Sequence, residues 1–298
     1  MAPKKKTVVK TVVFDEEEKA HNSMVHKKDI LVHSLLVAFF CYKCNLMDVS
    51  ADLDKSALFF SRDAVDLVLS GMMTFLSYYA WLELLVDSRD KKTDRNYYTK
   101  ELLGHFCYLT HITFSFTCIY NSLDFISDLG MYCGMTEATI FVKVQGLLYS
   151  CSVFMSTLQV VVSVLFLKMC WYDDDWQTMV MEIEKREPGT LFTNLWTHMI
   201  PAICAAFDLY VMKNTALVIK YNEDFNEFTK NALAFGLVYL LYMDVCYLLN
   251  GGYYPYPFLY NIKTIYQKGL FFFGIFLVVC TISALLYAGL LFKMNYIL

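Results

Sequence analysis

Charge is scarce in this chain. Only 18% of its 298 residues are Asp, Glu, Lys or Arg, against 57% hydrophobic, and mean hydropathy is +0.41. Soluble domains carry about 25% charged residues, so an ordinary water-soluble fold is excluded and a polytopic membrane protein is indicated. Net charge is only −4, and no basic field runs along the chain, which excludes nucleic acid as a partner. Proline is rare too: the five prolines do not form the three proline–acid repeats that a mitochondrial carrier would need. Internal repeats and paired Gly/Pro-broken helices, the marks of a transporter, are missing. So are a cleavable signal peptide, since the first 29 residues are polar, and any HxxxH or HExxH metal spacing. The ten cysteines stand mostly apart within apolar segments, which argues against a disulfide framework. Cys41 and Cys44 form the only CxxC, with no second pair or histidine cluster nearby, and read as two small residues on one short helix.

What is present is long apolar runs and aromatics, 22 Tyr and 24 Phe, suited to lipid contact and interface belts. The expected fold is all-α: six transmembrane helices preceded by a short interfacial helix. Residues 1–29 read as a polar, extended arm. Ile30–Tyr42 is apolar but too short to span a core of about 30 Å, and a charged linker runs from there to Asp63. The membrane domain, 64–298, then carries helices at Ala64–Asp87, Leu102–Asp128, Phe141–Trp171, Leu191–Met212, Asn231–Leu249 and Gln267–Phe292. Short loops make neighbouring helices antiparallel. Lysine and arginine counts, with the lysine-rich arm included, favour cytoplasmic termini.

Two of these helices are unusually polar. In the second, Thr113, Thr117, Asn121, Asp124 and Asp128 recur at helical spacing and form one stripe, which must face the bundle interior because lipid cannot satisfy it. The fourth buries a histidine, His198, with Asn194 one turn before it, Pro201 just after it, and Asp208 about 15 Å deeper. Counted from the same membrane face, Thr110 and His198 sit at matching depths of about 10 to 12 Å. The irregular aromatic loop NGGYYPYPFLYNI caps that face and contributes Tyr256.

A hydroxyl beside an imidazole suits acyl transfer. The ring takes the hydroxyl proton, the oxygen attacks an ester carbonyl, and the imidazolium returns the proton to the leaving alcohol. Asn194 and Tyr256 are candidate orienting or oxyanion donors. The residues alone leave alternatives open: a threonine bonded to its own helix and a histidine touching a neighbour, or haem or metal ligation by His105, His111 and His198.

The chain resembles the androgen-induced-gene family of membrane proteins, of the FAR-17a type. The resemblance rests on Cys107-Tyr108-Leu109-Thr110 with Asp128 closing that helix, on Asn194, His198 and Asp208, on the turn WYDDDW after the third helix, and on Gly252, Tyr254, Tyr256, Pro257, Phe258 and Leu259 in the loop. It covers roughly Ala64–Phe292, with Met199 and Tyr254 departing from the family's threonine and tryptophan. It implies a hydrolase of fatty acid esters of hydroxy fatty acids, with Thr110 as nucleophile, His198 as base, Asn194, Tyr256 and Asp208 supporting, and neither cofactor nor metal. It also implies an endomembrane location, the ER or plasma membrane, with the mitochondrial inner membrane as the alternative. The partners expected are the bilayer and a lipid ester. The first 63 residues offer membrane-protein contacts and favour the rival reading, a catalytically silent accessory subunit.

Overall fold

The computed structural model describes residues 31–38, 41–42, 64–87, 109–135, 139–172, 177–178, 184–185, 189–222, 225–249 and 264–296, with single positions at 181, 254, 259 and 262. The chain is helical throughout these segments. In order come α1 (Ala64–Asp87), α2 (Leu109–Tyr132), α3 (Thr139–Tyr172), α4 (Thr190–Phe207), a π-helical turn (Asp208–Met212), α5 (Thr215–Tyr221), α6 (Phe225–Leu249) and α7 (Ile265–Tyr296). Four stretches are long and apolar enough to cross a membrane: Ala64–Leu82, Ile140–Lys168, Leu195–Met212 and Ile265–Tyr296. The protein is therefore an integral membrane protein. α6 contributes a shorter apolar run, Leu233–Leu249. α2 is a full-length helix whose polar stripe lowers its hydropathy.

α3 is the hub. It packs against α2, α4, α5, α6 and α7, and 61% of its apolar span is buried, whereas α7 buries only 17%. α1 lies along α2 as an antiparallel pair. Polar side chains stitch the pair together: Asn121 Nδ2 donates to Ser77 Oγ at 2.7 Å, and Thr74 Oγ1 donates to the Asn121 carbonyl at 2.9 Å. Buried between the two helices, such bonds fix register as well as contributing energy. Close approach also requires glycine at one place: a Cβ on Gly130 would lie 2.5 Å from the Phe141 ring, where α2 meets α3.

The helix expected at Leu191–Met212 is divided. α4 stops at Phe207, and a π turn carries the chain to Met212, with Lys213 N donating to Asp208 O at 2.9 Å. The extra residue in that turn rotates the chain beyond it, so Asp208 and Lys213 both face the bundle. Asn214 then caps α5, its Oδ1 accepting from Ala216 N and Leu217 N. α5 was not expected, because its seven residues, TALVIKY, are too short to read as a periodic helix. At the other end of α4, the Glu184 carboxylate accepts from Gly189 N and Leu191 N, satisfying part of the helix N-terminus.

The short helix expected at Ile30–Tyr42 is described over 31–38 and 41–42, where it is helical. His33 rests on Trp81 of α1, with ring centroids 5.1 Å apart. The arm at 1–29 and the linker at 43–63 lie outside the described residues.

Candidate functional site

The polar stripe of α2 does turn inward: Thr113, Thr117, Asn121, Asp124 and Asp128 are each 4% exposed or less. Near one end of that stripe, in the first turn of α2, stands Thr110. Its Oγ1 lies 3.5 Å from Nε2 of His198 on α4. The residues are 88 positions apart in sequence, so only the packing of two helices brings them together. The distance is at the outer limit of a hydrogen bond, a spacing common in sites that tighten around a bound substrate.

Three contacts hold the histidine. Phe166 of α3 stacks on its ring at 3.8 Å with planes 9° from parallel. Thr197 Oγ1, fully buried, lies 3.3 Å from Nδ1. Ser163 Oγ, one turn before Phe166, donates to the His198 carbonyl at 2.5 Å. The last contact belongs with Pro201, whose nitrogen cannot donate to the carbonyl of Thr197 four residues earlier and so loosens the helix at this level. The Thr197 hydroxyl can either accept from Nδ1–H or donate to Nδ1; in the tautomer with Nδ1–H, the neutral ring presents a bare Nε2 toward Thr110, the form that accepts a hydroxyl proton.

The remaining residues expected at the site fall in different places. Asn194 is on α4 one turn before His198, with its side chain outside the described residues; Tyr256 and His105 also lie outside them. Tyr254 and Leu259 belong to the same apolar cluster as Leu109 and Ile112 of α2. Tyr254 is fixed there by donating to Asp244 at 3.0 Å, and burial, with that carboxylate beside it, pushes its phenol up from the ordinary value. His111 is buried on α2 next to Thr110 in sequence. Asp208 is not brought to His198; it accepts from Tyr120 at 2.7 Å and lies 3.6 Å from Lys213, deeper in the bundle. Among the described residues, no three His, Cys, Asp or Glu side chains converge to hold a metal ion.

Sequence reasoning missed Phe166, Thr197 and Ser163 because each is ordinary in an apolar helix. It also missed Lys213, which at the end of a membrane helix reads as a side chain reaching for water. Instead its ammonium is wholly buried, 2.5 Å from Asp124.

No curated protein and no solved structure matches the chain. A family does match: residues 67–290 fit the FAR-17a/AIG1-like protein family. That span holds all but the first three residues of α1, all of α2 to α6, most of α7, and both members of the Thr110–His198 pair, and it leaves the N-terminal 66 residues outside. On that coverage, this membrane-embedded helical chain belongs to the FAR-17a/AIG1-like family.

Proposed function

We propose that the protein is an integral membrane lipid ester hydrolase, acting on fatty acid esters of hydroxy fatty acids with Thr110 as nucleophile and His198 as general base. The observation that carries this reading is the 3.5 Å approach of Thr110 Oγ1 to His198 Nε2 across two helices. In the acylation step, the Thr110 proton passes to Nε2 while Oγ1 bonds to the ester carbonyl carbon. Collapse of the tetrahedral intermediate breaks the bond to the leaving oxygen, which takes the proton from the imidazolium and departs as the hydroxy fatty acid. In the second step His198 deprotonates a water, which attacks the acyl-threonine; the fatty acid leaves and Thr110 regains its proton. Asn194 and Tyr256 are proposed as donors to the oxyanion. Asp208 is given no direct role.

The reading includes six spans, with α2 and α6 crossing beside the four more apolar helices, cytoplasmic termini and an endomembrane location. α2 can cross because its stripe is met by other helices. An ester would arrive sideways from the bilayer, and water from the loop-covered face.

The alternative, a silent accessory subunit, draws on residues 31–38, which dock through His33 yet leave Leu31 and Leu35 about 60% exposed, an apolar edge suited to another membrane protein. Labelling of purified protein by a fluorophosphonate probe separates the two. The hydrolase reading expects an adduct on the wild type that is lost in both Thr110→Ala and His198→Ala; a wild type that never labels and never turns over ester would sink it.

A further inference from the structure

α2 and α4 carry the two members of the Thr110–His198 pair, yet these helices touch each other little, and α1 and α3 pack against both. The polar bonds from α1 to α2 lie at Asn121 and Ser122, three turns beyond Thr110. At the level of the pair, the polar contacts come from α3. We propose that Gln159 of α3 is a positioning residue for the ester hydrolysis described above, a role that rests on that reading of the pair. It braces the first turns of α2 so that Thr110 is held at reacting distance from His198.

Gln159 is 2% exposed, in a bundle interior where an amide is costly unless its polar atoms are met. Its nitrogen donates to the Thr113 carbonyl at 2.8 Å and to Thr117 Oγ1. Chemistry fixes which end of the amide faces α2. A carbonyl oxygen only accepts, and Thr117 spends its own hydroxyl proton on Thr113 O at 3.0 Å, so both partners require donors. From Thr113 the brace runs on to the nucleophile: Thr113 Oγ1 donates to the Thr110 carbonyl at 2.9 Å, one turn earlier. Thr110 is the second residue of α2, and a helix end is where the backbone opens most readily. Gln159 anchors the turn that would otherwise fray.

The same face of α3 holds the base. Gln159, Ser163 and Phe166 stand at i, i+4 and i+7, within about 60° of one line along the helix. Ser163 holds the His198 carbonyl and Phe166 stacks on its ring. α3 runs antiparallel to α2, and Gln145 donates to Ser127 Oγ in the same register that pairs Gln159 with Thr113. That register puts Ser163, one turn beyond Gln159, level with Thr110. Loss of the Gln159 amide should therefore move Thr110 and leave His198 where it is.

The test uses the full chain in lipid nanodiscs. Gln159→Leu nearly keeps the volume and removes both donors; Thr117→Val removes one acceptor and keeps the shape; Thr117→Ser keeps that acceptor. Gln159→Leu is expected to lower kcat about 10- to 100-fold with KM little changed, the loss that follows from about 1 Å of misplacement. Thr117→Val should lose less and add nothing when combined with Gln159→Leu, while Thr117→Ser should match the wild type. Hydrogen exchange gives a readout free of catalysis: the stretch from Leu109 to Phe116 should exchange faster in Gln159→Leu, with α4 at its wild-type rate. A wild-type kcat in Gln159→Leu overturns the inference. So does unchanged exchange at the start of α2, or a rate loss with faster exchange throughout the bundle, which marks general destabilisation. Failure of the hydrolase reading looks different: the wild type then neither labels nor turns over ester, and the positioning role falls with it whatever the exchange shows.

Discussion

Phe166 lies flat on His198, its ring centroid 3.8 Å from the imidazole. A face-on aromatic does little for a neutral ring beyond packing, but it would attract the imidazolium formed in the proposed reaction. Such attraction is worth about 0.5–2 kcal/mol, the upper end applying where water is excluded.

Phe166→Leu is therefore expected to lower kcat/KM for ester hydrolysis about tenfold, roughly 1.4 kcal/mol, while leaving probe labelling of Thr110 detectable. Ester turnover by the variant in lipid nanodiscs measures it. An unchanged rate would show that the stack only fills space.

Thr197 Oγ1 stands 3.3 Å from His198 Nδ1 and holds the ring's orientation. Thr197→Val keeps the shape and removes the oxygen, so the ring loses that polar contact. The expected loss in kcat is about 10- to 100-fold, by analogy with other partners that orient a catalytic or ligating imidazole. Thr197→Ser should restore most of it. Equal activity of the valine and serine variants would remove Thr197 from the positioning role.

The buried Lys213–Asp124 pair makes a stability prediction. Lys213→Met takes the adjacent ammonium from Asp124, and Asp124→Asn takes the adjacent carboxylate from Lys213. Lys213→Met, which takes the ammonium from both Asp124 and Asp208, should cost about 3–5 kcal/mol, and Asp124→Asn less, because Asp208 stays 3.6 Å from Lys213. The double variant should cost less than the sum of the two, because both single variants break the same Lys213–Asp124 contact. Thermal unfolding of the three variants gives the coupling; strict additivity would mean that the pair does not act as a unit.

His33 offers a pH-dependent contact. Burial against Trp81 lowers its pKa from the ordinary 6.5. The free segment therefore binds protons more readily than the docked one, so docking is fully favourable above pH 6.5 and is lost as pH falls through the docked-state value. Trp81 fluorescence in a variant with Trp171, Trp176 and Trp196 replaced by Phe should change over that range and not in His33→Phe. A response that survives in His33→Phe would assign the titration elsewhere.

The pairing of Thr110 with His198 was legible from the sequence because two simple periodicities, 1.5 Å of rise per residue and alternation of helix direction, fix depth without any knowledge of side-chain packing. The inward stripe of α2 was legible for the same reason: polar residues at helical spacing in an apolar chain have only one face to take. The surroundings of the pair were not legible. Phe166 is one of 24 phenylalanines, and nothing local marks the one that meets an imidazole. Asp208 was grouped with His198 by the family resemblance alone, since helical rise already puts it about 15 Å deeper. The π turn that redirects it toward Lys213 depends on a single added residue, which leaves no compositional trace.

The stripe that makes α2 useful inside the bundle also bears on how the protein is made. Asn121, Asp124 and Asp128 each raise the cost of passing this segment from the translocon into lipid, by up to about 3 kcal/mol for an aspartate near the centre. α1 reaches the membrane first and carries Thr74 and Ser77, the groups that answer Asn121. α2 should then insert as the second arm of a hairpin: fused alone to a glycosylation reporter it should fail to integrate, and preceded by α1 it should succeed. On this account the α1–α2 contact is made during synthesis, before the helices that complete the site have been translated.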